Sequence, residues 1–302
     1  MNKKSSTNYQ ISNMRQGPLV AVVGQTASGK STIATQLARQ FDGEIIAADS
    51  WTVRKKLDIG TAKPSIQERA NAPHHMIDII EPCDDFTAVE FQRRARRVID
   101  DIIERGKLPL LVGGTGLYVD SVLYNYSFSP KASKTERETY NKMTITQLLA
   151  EADSRGIDTS SIDIRNKRRI IRLLETGGHN PIKQPLRKNT LILGVRLPKE
   201  ALGQRIEARV EQMIADGLEQ EVRVLSETYG WQCEGLKGIG YIEWRDYFEG
   251  NQSLEQTKQR IIQSTNKLAK RQHTWFKRSS DIVWCDDIET AKQQMYAFLA
   301  EK

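Results

Sequence analysis

What this chain lacks narrows it first. Its 302 residues include three cysteines, Cys83, Cys233 and Cys285, scattered and odd in number. That spacing excludes a disulfide-built scaffold and a cysteine-ligated metal centre, and it points to unpaired thiols in a reducing compartment such as the cytoplasm. No apolar run approaches the length needed to cross a bilayer, so no membrane partner is expected. There is no internal repeat and no low-complexity tract. The neighbouring His74 and His75 do not make a metal pair, because adjacent side chains of an extended chain point to opposite faces. The first seventeen residues contain no acid, and they lack the arginine density and amphipathic face of an organellar leader; a disordered tail over 1–17 is expected.

Acid is also missing locally. The segment Arg165–Lys188 holds eight basic residues and one acid, Glu175, and Lys258–Arg278 holds seven basic residues and none. These segments carry +14 of a net charge of +7, which leaves the remainder at −7 (30 basic against 37 acidic). Basicity is therefore local on a mildly acidic body, the pattern of a polyanion-binding protein. With 38% hydrophobic and 27% charged residues, the chain is a soluble globular protein able to bury a sizeable core.

The strongest positive signal is Gly24-Gln25-Thr26-Ala27-Ser28-Gly29-Lys30-Ser31, which fills every defined position of a phosphate-binding loop. It follows an unbroken apolar run, Leu19–Val23, and opens a helical pattern with Ile33, Ala34, Leu37 and Ala38 on one side. Strand, glycine loop and helix are the context that the motif requires. The glycines let the backbone wrap a phosphate, free N–H groups at a helix N-terminus face its oxygens, Lys30 adds a point charge, and the Ser31 hydroxyl suits Mg²⁺. The loop does not say whether it holds ATP or a diphosphate ester.

Further buried strands are expected over Glu44–Ala48, Pro73–Ile79, Leu108–Val112, Thr190–Val195 and Asp281–Trp284. Between them, Phe91, Ala95, Val98, Ile99 and Ile102 line one helix, Leu202, Ile206, Val210 and Met213 another, and a long helix covers about Leu254–Trp275. Strands alternating with helices argue for an α/β fold, a P-loop NTPase-like parallel sheet with helices on both faces. The stretch 125–188 is polar and helical in propensity, with Ile170, Leu173 and Leu174 marking a basic helix. The expected organisation is a core of 18–124 and 189–302 with a small, partly basic helical insertion at 125–188.

In such sheets the ligand lies beyond the carboxyl ends of the strands. Gly24, Asp49 and Gly113-Gly114-Thr115 each follow a strand, so a phosphate cradle, a carboxylate and a hydroxyl-bearing glycine turn should meet at one crevice. Asp49 there has three readings: a general base, a Mg²⁺ ligand, or a turn-capping aspartate.

The ordered set of motifs resembles the tRNA dimethylallyltransferases, from about Leu19 to Trp284. Beyond the phosphate loop and Asp49-Ser50 the resemblance rests on Asp58-Ile59-Gly60-Thr61-Ala62-Lys63-Pro64, Pro73–Ile79, Gly113–Tyr118, Arg205–Arg209, Gly238-Ile239-Gly240-Tyr241 and Lys270–Lys277. The resemblance implies transfer of a dimethylallyl group from dimethylallyl diphosphate to N6 of adenosine 37, beside the anticodon of tRNA, with Mg²⁺ as cofactor. It implies that the phosphate loop, Gly24 through Ser31, holds the departing diphosphate, that Asp49 removes the N6 proton, that Thr115 lies at the reacting centre, and that Arg205, more than Arg209, neutralises the diphosphate. It implies tRNA contacts at Asp49, Ser50, Trp51, Thr52, Arg168, Arg169, Arg172, Lys237, Gly240, Tyr241, Lys270, Arg271, Gln272, Trp275 and Lys277, with the anticodon stem-loop phosphates held by the two basic segments. A monomer is expected. The chain departs from the family at Gln25, where a proline is usual, and at Thr52, Arg54 and Ile242; the last three bear on which tRNAs are served. Two readings from other classes remain at this point: a P-loop kinase of a small molecule or nucleotide, which leaves both basic segments unexplained, and an adenylate isopentenyltransferase, which has little use for the late basic helix. An RNA-binding protein with a dead phosphate loop fits poorly with intact Lys30, Ser31 and Asp49.

Overall fold

Six short runs pair into one sheet in the computed structural model, which describes residues 17–128, 134–179 and 181–300. They are β1 (Leu19–Gly24), β2 (Gly43–Ala47), β3 (His74–His75), β4 (Leu108–Gly113), β5 (Thr190–Val195) and β6 (Ile282–Cys285). The sheet order is β3-β2-β4-β1-β5-β6, and every pairing is parallel. All six residues of β1 and of β4 are buried, which is why both read as continuous apolar runs without alternation. Because the strands run one way, the chain leaves β1, β2 and β4 at the same edge, and that edge gathers the phosphate loop, Asp49 and the Gly113–Gly116 turn. The tail expected over 1–17 lies outside the described residues, apart from Gly17.

Among the described residues twelve α-helices accompany the strands. In chain order they are α1 (Lys30–Gln40), α2 (Ile66–Asn71), α3 (Ala88–Glu104), α4 (Gly116–Leu123), α5 (Lys134–Lys142), α6 (Ile145–Ser154), α7 (Lys167–Glu175), α8 (Lys199–Ala215), α9 (Leu218–Tyr229), α10 (Arg245–Phe248), α11 (Leu254–Phe276) and α12 (Ile288–Ala300). Their starts are chemically marked. Thr87 caps α3 by accepting from Glu90 N–H, and Ser253 with Gln256 forms a capping box on α11. The stripe Phe91, Ala95, Ile99 and Ile102 is fully buried, whereas Val98 stays half-exposed. Leu202, Ile206, Val210 and Met213 of α8 bury against Leu218, Val222 and Leu225 of α9, Tyr241, Trp244 and Ile261 in a second core beside the sheet.

By its contacts the chain divides into two compact units, one running to Leu123 and resuming at Arg187, the other from Tyr124 to Leu186. The smaller unit has its own core of Tyr140, Leu148, Ala152, Ile170, Ile171 and Leu174 on α5, α6 and α7. Glu175, its side chain only 2% exposed, is compensated by Arg137 at 2.8 Å and Arg172 at 3.3 Å; a buried carboxylate left unpaired would be strongly destabilising. Gly177 and Gly178, at φ 60° and 85°, end α7 in the left-handed region.

Two expectations are corrected. The strand at Pro73–Ile79 shrinks to His74–His75, because Met76 and Asp78 take positive φ (65° and 57°) and leave the ladder. The cysteines are not all unpaired: Cys83 and Cys233 form a disulfide, and Cys285 is the buried free thiol. The two halves are 150 residues apart, so spacing could not reveal the pair; Gly235 N–H donating to Pro82 O at 2.9 Å brings the segments together. Among the described residues no helix is long and apolar enough to cross a membrane.

Candidate active site

The phosphate loop takes its shape from three residues with positive φ: Gly24 (155°), Ala27 (60°) and Gly29 (90°). A side chain at Gly24 would sit 2.5 Å from Val195 O, so only glycine lets β1 turn this close to β5. Gly29 precedes α1 without a side-chain cap, and the first turn carries no acid, so its free N–H groups are available to an anion. From behind, α11 braces the loop. Gln272 Oε1 accepts from Thr26 N–H at 2.7 Å while its Nε2 donates to Gly114 O at 3.1 Å, and Gln25 Nε2 donates to Ala269 O at 3.1 Å. The departure at Gln25 thus supplies a tether that proline could not.

These elements surround a cavity of about 210 Å³. Thr26, Lys30 and Ser31 of the loop, Asp49, Trp51 and Thr52 after β2, and Gly60, Thr61, Ala62, Pro64 and Gly240 all line it. Apolar side chains, among them Ile45, Val112, Ile206, Val210 and Ile261, fill the remainder. Burial lowers the Lys30 ammonium to about 8, aided by the neighbouring Arg209 cation and opposed by Asp49. Burial likewise lowers Arg209, against the attraction of Asp49. Two cations held against desolvation beside one carboxylate mark a site built for anionic charge. His74 also faces the cavity; burial lowers its basicity, and its Nδ1–H donates to Ala72 O at 2.7 Å, which leaves Nε2 an acceptor. His75, on the opposite face, meets Glu44 at 2.7 Å.

Asp49 caps its own turn, Oδ1 accepting from Trp51 N–H at 2.8 Å and Thr52 N–H at 3.3 Å. That bond fixes the carboxylate's direction. Thr115 does not line the cavity; its Oγ1 accepts from Ser50 N–H at 3.2 Å and its N–H donates to Ala48 O, bolting the β4 turn to the Asp49 turn. Both candidate arginines stand beside the loop. Arg209 lines the cavity and donates to Thr26 Oγ1 at 3.4 Å, and the more exposed Arg205 brings its guanidinium to Gly29 of the same loop. The helical offset of four residues could not say which arginine turns inward.

The residues expected to touch a polyanion divide. Lys270, Arg271 and Lys277 are exposed and make no ion pair among the described residues, and Arg168 and Arg169 are likewise exposed and unpaired. Arg172 pairs with Glu175 and Lys237 with Glu234. The early part of the late basic run is neutralised from elsewhere, Lys258 by Glu211 and Glu255 and Arg260 by Asp246. Three of the residues expected to contact tRNA also hold the fold together. Tyr241 is fully buried with its hydroxyl on Glu221 at 2.7 Å, Gln272 is buried in the brace, and Trp275 donates Nε1–H to Asp120 at 3.1 Å with its ring against Gly116. Trp51, half-buried, packs on Gly238, and Arg54 lies over its ring at 5.6 Å. The buried Arg54 donates to Pro82 O and Asp84 O, gripping the segment around Cys83. Ile242 is 37% exposed. Sequence reasoning gave no hint of Thr52 Oγ1 as an orphan: it is buried in the cavity wall with no hydrogen-bond partner, and buried polar groups rarely stay so without a ligand or water.

Comparison with known proteins agrees with this geometry. A family model described as IPP transferase matches residues 52–279. The chain is 37% identical to a tRNA dimethylallyltransferase of Bacillus licheniformis over 96% of this chain and 99% of the relative, and 36% identical to that of Bacillus subtilis over 97% and 99%. Among solved structures, a full-length tRNA isopentenylpyrophosphate transferase of Bacillus halodurans superposes with a TM-score of 0.73 at 34% identity, covering 94% of this chain and 96% of that one. A eukaryotic dimethylallyltransferase described as acting on tRNA superposes with a TM-score of 0.75 at 26% identity, covering 89% and 73%.

Proposed function

This chain belongs to the IPP transferase family, the tRNA dimethylallyltransferases, and from that membership we propose that it moves a dimethylallyl group from dimethylallyl diphosphate to N6 of adenosine 37 in tRNA. The observation that carries the reading is a cavity in which a phosphate loop with Lys30 shares a partly apolar lining with Arg209 and the Asp49 carboxylate. The polar end suits the diphosphate, and the apolar lining suits the prenyl chain. A kinase needs neither the apolar lining nor the exposed basic helix face.

The chemistry follows from placement. Adenosine 37 leaves its stack and enters from the side of Gly60 and Gly240, where the unpartnered Thr52 hydroxyl can bond the edge of the base. N6 attacks C1 of the dimethylallyl group, the C1–O bond breaks, and the electron pair leaves with the diphosphate. The N6 proton passes to Asp49, whose Oδ1 is already anchored by Trp51 and Thr52 N–H, so the carboxylate is oriented before substrate arrives. The phosphate-loop amides, Lys30 and Arg209 take up the charge that develops on the leaving group. The Ser31 hydroxyl would hold Mg²⁺. An oxygen donor fits a hard cation that keeps water and diphosphate oxygens as its other ligands, and among the described residues no cluster of three His, Cys, Asp or Glu competes for a softer metal. Bound there, the ion would supply charge neutralisation to the diphosphate.

The exposed cations of α11 and α7 are assigned to the anticodon stem-loop phosphates, and the protein is assigned to the cytoplasm as a monomer. Incubating tRNA with the protein, dimethylallyl diphosphate and Mg²⁺, then digesting to nucleosides for mass spectrometry, tests the reaction. The expected product is a dimethylallyl-adenosine from position 37, formed without ATP. ADP release, or alkylation of free AMP in place of tRNA, would overturn the reading.

A further inference from the structure

One part of the cavity's lining has no regular structure to hold it. Residues 58–64 contain neither helix nor strand, yet Gly60, Thr61, Ala62 and Pro64 line the cavity. Their backbone needs partners, and a side chain from α9 provides them. Glu221 Oε2 accepts from Asp58 N–H at 3.0 Å and Ile59 N–H at 2.8 Å, and Oε1 accepts from Gly60 N–H at 3.1 Å. Three successive amides converging on one carboxylate form an anion nest that the protein fills from within. The fourth donor is Tyr241 OH, at 2.7 Å from Oε1.

Tyr241 belongs to the second half of the same wall. It is fully buried, and a side chain at Gly60 would meet its ring at 2.6 Å. Its neighbour Gly240, at φ +89°, packs on Gly60 O and lines the cavity. Burial and the adjacent Glu221 charge raise the phenol well above its ordinary value, so the hydroxyl remains a donor throughout the physiological range. Glu221 itself does not line the cavity.

We propose that Glu221 is a positioning residue that fixes both halves of the acceptor wall, the 58–64 loop and the Gly238–Tyr241 turn, in the register the incoming adenine requires. The inference rests on the functional reading above, in which the base enters on this side and the diphosphate binds on the other. It makes Glu221 matter to tRNA and to the chemical step while leaving the donor site alone.

The test compares wild type, Glu221→Gln and Tyr241→Phe by donor Kd, tRNA KM, single-turnover rate and thermal unfolding. Glutamine keeps the shape but turns an NH₂ toward backbone donors. It is expected to raise tRNA KM and slow single turnover, together by about tenfold or more, the usual consequence of a displaced binding wall, with donor Kd unchanged within about twofold. Tyr241→Phe keeps the three loop bonds and removes only the link between halves; a rise in tRNA KM of about threefold at unchanged donor Kd is expected. A folded Glu221→Gln with wild-type tRNA KM and single-turnover rate overturns the proposal. So does an equal loss of donor and acceptor binding, which a purely structural role would produce. Should Glu221→Gln fail to fold, Tyr241→Phe decides alone, an unchanged tRNA KM overturning the proposal. A wild-type protein that makes no prenylated tRNA overturns the functional reading and this inference together, whereas an active wild type beside an unaffected pair of variants overturns the inference alone.

Discussion

Two walls of one cavity are built by opposite means. The phosphate loop takes its shape chiefly from backbone, with positive φ at Gly24 and Gly29, a close approach to β5 and uncapped amides at the start of α1, and one distant side chain, Gln272, braces it. The 58–64 loop is made of side chains reaching in from elsewhere. Lys63, its side chain 2% exposed, donates to Arg54 O, Asp58 and Asp78, while Glu221 gathers the amides. A backbone-built wall is fixed by residue types adjacent in sequence, so it forms a compact motif. A side-chain-built wall depends on partners up to 163 residues away, and it tolerates fewer single changes because each clamp serves several groups.

The comparison is tested most severely at the point where the walls meet. Asp49→Asn keeps the turn cap and the shape but removes the proton acceptor, so single-turnover transfer should fall by about 10²–10⁴ with donor affinity nearly unchanged. A folded variant that transfers at wild-type rate would end the general-base role. If diphosphate binding weakens instead and excess Mg²⁺ restores it, Asp49 is a metal ligand.

Among the side chains of the phosphate loop Lys30 carries the charge, and its loss should be felt by the donor. Lys30→Ala is expected to weaken dimethylallyl diphosphate binding by about tenfold to a hundredfold, the worth of a charge-assisted hydrogen bond or two. Because Lys30 titrates at about 8 in the free protein, its positive charge is complete well below that pH and lost as pH rises through it. Donor Kd of the wild type should therefore climb as pH passes that value, and Lys30→Ala should flatten the climb. Calorimetric titration across that range, with wild type and variant showing the same pH profile, would refute the assignment.

For the side-chain wall the analogous change is Lys63→Met, which leaves Asp58 and Asp78 without their shared cation, Arg69 still reaching Asp78 at 3.1 Å. Removing one partner of a buried ion cluster should lower the unfolding free energy by about 2 kcal/mol, discounted because Asp58 is 61% exposed. The loss should also raise tRNA KM, whereas donor Kd should hold. Denaturant unfolding beside steady-state kinetics checks both; an unchanged midpoint would show that the loop does not need its internal cation.

This division also explains what was legible in the sequence. The strands β1, β2 and β4 and the helices α3 and α8 could be read because each buries a nearly uninterrupted run or a full stripe, and α11 ends at Phe276, one residue beyond the expected end. The helix α12 gave little signal because only Ala291 and Met295 are buried along it. The phosphate loop was complete in eight adjacent residues. In contrast, the inward turn of Arg209, the brace at Gln272, the clamp at Glu221 and the Cys83–Cys233 disulfide are all relations between distant segments. Local composition carries no trace of them. Charge counting erred for the same reason: Lys258 and Arg260 stand in an acid-free run, yet acids from α8 and α10 neutralise them in space.

What remains of that basic run yields the smallest expected effect. Lys270, Arg271 and Lys277 are exposed and without ion-pair partners among the described residues, within about a turn and a half of the Gln272 brace on α11 and at its C-cap. If they hold phosphates of the stem-loop, each neutralised phosphate releases a counterion when tRNA binds. Reversing Lys270 and Arg271 to glutamate should then raise tRNA KM and flatten its dependence on salt, by a slope of roughly 0.7–0.9 for each phosphate no longer neutralised, or about 1.5 for both. Donor Kd should not move, because the side chains facing the loop from this helix are Gln272 and, through its carbonyl, Ala269. A solvated helix face with no partner predicts no change in slope, since no counterions are released there. Measuring KM for tRNA at four or five salt concentrations separates the two: parallel lines for wild type and variant would strip the late helix of its tRNA role, whatever the change in absolute affinity.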